Sequence, residues 1–108
     1  MHLTLRRALT VVVFLATIVP ALAQDLPGSV EAGRRLAQNW CSACHRIDAS
    51  SVIINTAPDF SLIADMPSTT ALSLKVFLQT SHDTMPNYQL TRTDTDNVIA
   101  YILSLKKK

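Results

Sequence analysis

Cysteine is scarce in this sequence, with two residues in 108, so no disulfide framework can staple the fold and one bridge is the upper limit. Internal repeats, low-complexity tracts and interior linkers are absent, and the length allows one compact domain rather than a large multidomain enzyme. A surplus of one charge is also missing. Ten basic residues face eight acidic ones, but Arg6 and Arg7 lie in the opening segment and the remainder balances. The pI of 8.7 therefore belongs mostly to that segment, and the electrostatic footprint of a nucleic-acid binder is lacking.

Aromatics are few, at 6%, yet hydrophobic residues reach 48% and the mean hydropathy is +0.22. The excess sits at the start. Arg6 and Arg7 precede an almost wholly apolar run from Ala8 to Pro20, and Ala21-Leu22-Ala23 is a small-x-small cleavage site. These are the three regions of a secretory signal peptide. Residues 1–23 are expected to be removed, leaving residues 24–108 as an exported, periplasmic domain. A retained anchor is the competing reading, and the run is short for a bilayer span. Membrane association is expected only if the leader is retained. The twin arginines also raise the Tat route, which nothing around them strengthens.

The rest of the chain predicts an all-α fold. Ser29 is placed to cap a first helix, with Glu31 in its positive first turn and Val30, Gly33, Leu36 or Ala37, and Trp40 at helical spacing. From Arg46 to Pro67 the chain reads as loop, with Val52-Ile53-Ile54 as an unpartnered apolar stub. Ser68 is expected to cap a second helix running to about Thr80, followed by polar loop from Ser81 to Arg92. Thr93-Asp94-Thr95-Asp96 reads as a capping box for a last helix carrying Val98, Tyr101, Ile102 and Leu105 on one face. Lys106, Lys107 and Lys108 then suit its negative end as a solvated cap.

A domain this small often depends on a staple, metal or cofactor, and Cys41-Ser42-Ala43-Cys44-His45 supplies one. This is C-x-x-C-H, the attachment motif of c-type haem. Two intervening residues separate the sulfurs so that each can form a thioether to one vinyl group of the same porphyrin, and the histidine that follows becomes the proximal iron ligand. Other uses of these residues fit poorly. A thioredoxin-type site needs a βαβ context, a disulfide between Cys41 and Cys44 closes too short a loop to stabilise much, and zinc lacks a second ligand pair.

The sixth iron position decides function: a thioether there suits electron transfer, an open position suits ligand binding or catalysis. Met66, Met85 and His82 are the candidates. Both methionines precede proline, so that dipeptide does not choose between them. Met85 is favoured because it lies in the loop just before the last helix. Met66 stands at the threshold of the second helix, where a packing role is expected, and His82 reads as a loop histidine.

Gly33, the C-x-x-C-H pentapeptide, Met85-Pro86-Asn87-Tyr88-Gln89-Leu90 and the ending Val98-Ile99-Ala100-Tyr101-Ile102 together resemble small class I bacterial cytochromes c over nearly the whole of residues 24–108. The resemblance implies the cytochrome c fold, in which first and last helices cross closely around one covalently bound haem c. It implies that Gly33 permits the crossing, with Val98 and Tyr101 packed against it. It also implies that the carbonyl of Pro58 accepts a hydrogen bond from His45 and so orients the ring. One departure is Ala37, where the family often has an aromatic residue.

The expected function is one-electron transfer in the periplasm, without enzyme activity, between redox protein partners such as a dehydrogenase, an oxidase or a respiratory complex. Cys41, Cys44, His45 and Met85 bind the cofactor, His45 and Met85 bind its iron, and the protein is expected to be a monomer. With Lys75 the one lysine outside the tail, docking on an apolar rim is expected rather than charge steering. The rivals are a five-coordinate haem protein of peroxidase or gas-binding type and a dedicated haem subunit of a periplasmic dehydrogenase or oxidase complex.

Overall fold

A computed structural model describes residues 26–51, 57–80 and 84–108, and within them the chain forms four helices and no strand. The leader, the Val52-Ile53-Ile54 stub and His82 lie outside the described residues. Helix α1 spans Val30–Trp40, α2 Phe60–Asp65, α3 Ala71–Leu78 and α4 Arg92–Ser104. The all-α expectation is borne out.

Helix α1 starts where expected. The Ser29 hydroxyl accepts from the Ala32 N–H at 3.2 Å, satisfying one of the otherwise unpaired first-turn donors. Helix α4 starts two residues earlier than expected and ends at Ser104, with Leu105 as its C-cap. Its cap is Thr91, which exchanges side-chain and backbone hydrogen bonds with Asp94. The repeated Thr-x-x-Asp pattern from Thr91 to Asp96 offers this capping box in two registers, and the earlier one wins. Thr95 is then buried and its hydroxyl donates back to the Thr91 carbonyl at 2.9 Å.

Two further expectations are corrected. Helix α3 is capped by Thr70, not Ser68, and ends at Leu78. Ser73 returns the Thr70 cap bond, while the Ser68 carbonyl accepts from the Ser73 hydroxyl at 3.0 Å. The segment read as continuous loop contains α2, whose buried Phe60 and Ala64 lie four residues apart on its inner face. Six residues are too few to display a helical period in sequence.

Helix α4 is the hub, packed against all three others and most extensively against α1. The α1–α4 crossing brings backbone against backbone. A Cβ on Gly33 would overlap the Asn97 carbonyl and stand 2.8 Å from the Tyr101 Cβ. Tyr101 packs there as expected, but the closest contact is the backbone of Asn97 rather than Val98. Ala37, fully buried one turn later, keeps the crossing close where an aromatic residue would hold the helices apart. At the start of α1, Gly28 has φ +109° and lies against the Asp96–Asn97 backbone, while the Ser29 N–H donates to Asn97 Oδ1 at 2.7 Å. At the far end, the Lys107 N–H donates to Asp65 at 2.8 Å and its ammonium lies 3.5 Å from the same carboxylate, so the lysine tail ties the end of α4 to α2.

Replacing Gly33 with alanine sets a helix-propensity gain of up to about 1 kcal/mol against overpacking of about 1–3 kcal/mol. Because the clash is with backbone, overpacking is expected to win. Denaturant unfolding of the holoprotein should show Gly33→Ala less stable by about 1–2 kcal/mol, and a stabilised variant would contradict the close crossing.

Candidate functional site

Trp40 ends α1 and Cys41 is its C-cap, donating its N–H to the Ala37 carbonyl at 2.9 Å. The chain then makes one turn. The N–H groups of Cys44 and His45 reach the Cys41 carbonyl at 3.1 and 2.9 Å. That turn explains the two-residue spacing, since it presents both cysteines and the histidine at one end of α1. Cys41 and Cys44 are free thiols, so the disulfide alternative is not realised. Burial pushes the Cys41 thiol up to about 11, which keeps it protonated at neutral pH and unlike a reactive redox thiolate. Among the described residues no three His, Cys, Asp or Glu side chains converge as zinc ligands would.

All three residues line a cavity of about 460 Å³. Every helix contributes a wall: Leu36 from α1, Phe60 and Ile63 from α2, Leu74, Phe77 and Leu78 from α3, and Val98 and Ile102 from α4. The volume lies within the range of roughly 300–1,000 Å³ usual for sites holding a small molecule or cofactor. Apolar walls, two free thiols and one imidazole at the margin are the donor set and solvent exclusion that covalent haem requires, so the residues present fit the group.

The imidazole is oriented. His45 Nδ1 stands 2.6 Å from the Pro58 carbonyl oxygen. A carbonyl can only accept, so Nδ1 carries the hydrogen and Nε2 keeps the lone pair a metal needs. The expected role of Pro58 is thus realised in the geometry. Phe60 packs against the His45 ring at 5.1 Å between centroids and against Tyr101 at 6.4 Å, linking the histidine to α4 through a row of aromatics. Sequence reasoning passed over Phe60 because it falls in the segment read as loop; an aromatic two residues after Pro58 was the available signal.

The segment after His45 is held from three sides. The Arg46 carbonyl accepts from the Phe60 N–H at 2.9 Å, and the Ile47 carbonyl accepts from the buried Tyr101 hydroxyl at 2.9 Å. Asp48 closes the turn, accepting from the Ser50 and Ser51 hydroxyls and from the Ser50 N–H, and pairing with Arg34 of α1 at 3.3 Å. These donors, Ser50 foremost, bring the Asp48 carboxyl down to about 2. Its hydrogen bond and charge in turn raise the Arg34 guanidinium. Burial, reinforced by Asp48, raises the Tyr101 phenol and keeps it a donor.

Both methionine candidates line the same cavity. Met85 is half-buried in the segment before α4. Met66 is the C-cap of α2 and is exposed rather than packed into the core as expected. A stacked pair went unnoticed in the sequence: Trp40 and Tyr88, with ring centroids 5.5 Å apart, both line the cavity too. Forty-eight positions separate them, and no local pattern announces such a contact.

Residues 30–106 match the family described as Cytochrome c. The chain is 34% identical over 107 residues to cytochrome c-552 of Bradyrhizobium diazoefficiens, covering 98% of this chain and 99% of that protein. No solved structure matches it.

The Asp48 carboxyl titrates at about 2 in the folded chain against an ordinary 3.8. Its contribution is therefore fully present above about pH 4 and is lost as pH falls towards 2. Discounted for partial solvent exposure, it amounts to about 1 kcal/mol. Asp48→Asn should unfold about 1 kcal/mol more easily than the parent at pH 7 and converge on it near pH 2. A difference that does not depend on pH would show that the charge on Asp48 contributes nothing.

Proposed function

The chain belongs to the cytochrome c family, and from that premise we propose that it carries single electrons in the periplasm, with His45 and Met85 as the axial ligands of haem c. As a cytochrome c it is a haem protein that passes electrons to redox partners. Bound haem supplies a one-electron ferric–ferrous couple. Cys41 and Cys44 would tether the macrocycle through two thioethers, so that it is not lost by dissociation. His45, oriented by Pro58 and Phe60, would hold the iron through Nε2, and the Met85 thioether would be the second protein ligand, a sulfur that favours the reduced state. The apolar walls exclude water, and two permanent ligands leave little to rearrange as charge passes.

The observation that carries this reading is the meeting of the C-x-x-C-H residues and Met85 on one apolar cavity. Export by the leader, with residues 24–108 as the mature domain, belongs to the same proposal. Lys75 is paired with Asp96 at 3.4 Å, while Trp40, Phe77 and Tyr88 at the cavity are exposed. A redox partner therefore docks on an apolar rim with little charge steering, and the protein works as a monomer. A dedicated haem subunit of a periplasmic dehydrogenase or oxidase complex differs in partner, not in chemistry. The five-coordinate rival requires that neither methionine reach the iron, and two methionines at the cavity weigh against it.

Visible spectra of the ferric holoprotein test the ligand assignment. Met85→Ala should keep its haem, lose the weak red absorption of sulfur-bound ferric iron, and bind cyanide rapidly; Met66→Ala should behave as the parent. The opposite pattern would transfer the role to Met66. Absence of the red absorption from the parent itself would favour the five-coordinate rival.

A further inference from the structure

Trp40 is the last residue of α1 and directly precedes Cys41, so its ring is carried by the end of a helix at the cavity margin. Tyr88 lies three residues after Met85. Two tight turns follow Pro86: the Tyr88 N–H donates to the Pro86 carbonyl at 2.9 Å and the Leu90 N–H to the Tyr88 carbonyl at 3.0 Å. Among the described residues, the hydrogen bonds of 86–90 are thus internal to that segment, which bonds to no helix. What joins it to α1 is the stack of Tyr88 on Trp40, at 5.5 Å between centroids and 25° between planes. Both rings remain about 40% exposed, Trp40 at 40% and Tyr88 at 36%, so neither is there to fill the core.

From this placement we infer that Trp40 is a positioning residue for the sixth iron ligand: by stacking on Tyr88 it holds the Met85 segment closed over the cavity. The inference rests on Met85 being that ligand. The clasp works through the turn geometry. Tyr88 lies three residues from Met85 and the Pro86–Tyr88 turn shortens the link, so fixing its ring on Trp40 restrains the backbone that carries Met85. An offset aromatic pair shifts such an equilibrium by about 2- to 12-fold. That is enough to set how often the segment opens while the haem stays attached, because Cys41, Cys44 and His45 lie outside it.

Imidazole, added to the ferric holoprotein, reports opening because it binds iron only when the methionine sulfur has left. Trp40→Ala should raise apparent imidazole affinity by about 2- to 12-fold, Tyr88→Leu should match it, and combining them should add nothing further. Trp40→Phe, which keeps a stacking ring, should restore the parent value to within about 2-fold. Should Trp40→Ala mature poorly beside Cys41, Tyr88→Leu and Trp40→Phe carry the test. A purely structural Trp40 would lower the melting temperature and leave imidazole affinity unchanged, and that result overturns the clasp; so would two independent, additive effects. Met85→Ala separates the two levels. If it binds imidazole no better than the parent, the ligand assignment fails and the clasp with it. If it binds better while the Trp40 and Tyr88 variants do not, the clasp alone falls.

Discussion

At Gly33 the backbone of α1 touches the backbone of α4 at Asn97, and the rest of the molecule is placed by that contact. Side chains can adjust to a changed neighbour, but two backbones in contact have no such freedom. The crossing fixes the direction in which α1 runs out to Trp40 and Cys41. It also fixes the α4 face that supplies Val98 and Ile102 to the cavity. Gly28, packed against the same stretch of α4, and the Ser29–Asn97 hydrogen bond secure the other end of α1. The site is therefore built where two helices that are far apart in sequence are held at one relative pose.

The two sides of the site are held differently. On the His45 side, Pro58 holds the imidazole nitrogen, Phe60 holds the ring face, and Tyr101 and Arg34 anchor the residues that follow. On the Met85 side the chain bonds mainly to itself and leans on Trp40. Such asymmetry suits the proposed carrier, in which the cofactor is tethered on one side and a sulfur ligand on the other would stabilise reduced iron. Tethering and proximal orientation tolerate no play, while the distal segment needs only to remain closed for most of the time.

Much of this was legible in the sequence, for identifiable reasons. C-x-x-C-H is specific because the chemistry it serves admits few other spacings, so Cys41, Cys44 and His45 could be named at once. Ser29 was readable because a capping side chain acts within three residues. Thr91 was missed because Thr93 offers the same pattern two residues later, and only packing of Thr95 against the turn decides between the registers. Thr70 was missed for a similar reason: Ser68 is also a competent cap residue, and the reciprocal bond from Ser73 is what discriminates. Helix α2 was too short to announce itself. The Trp40–Tyr88 stack and the Phe60 contacts are tertiary, and no local pattern encodes them. Two methionines, each followed by proline, left the sixth ligand to be weighed from loop context, and both line the cavity.

Every role assigned to the cavity requires a macrocycle bonded covalently through both cysteines. The most direct measurement is the intact mass of the exported chain from a host able to attach haem, taken after denaturation and treatment with a thiol-alkylating reagent. One haem retained per chain, with neither Cys41 nor Cys44 alkylated, is the predicted result. A chain without haem and with both thiols alkylated would contradict it.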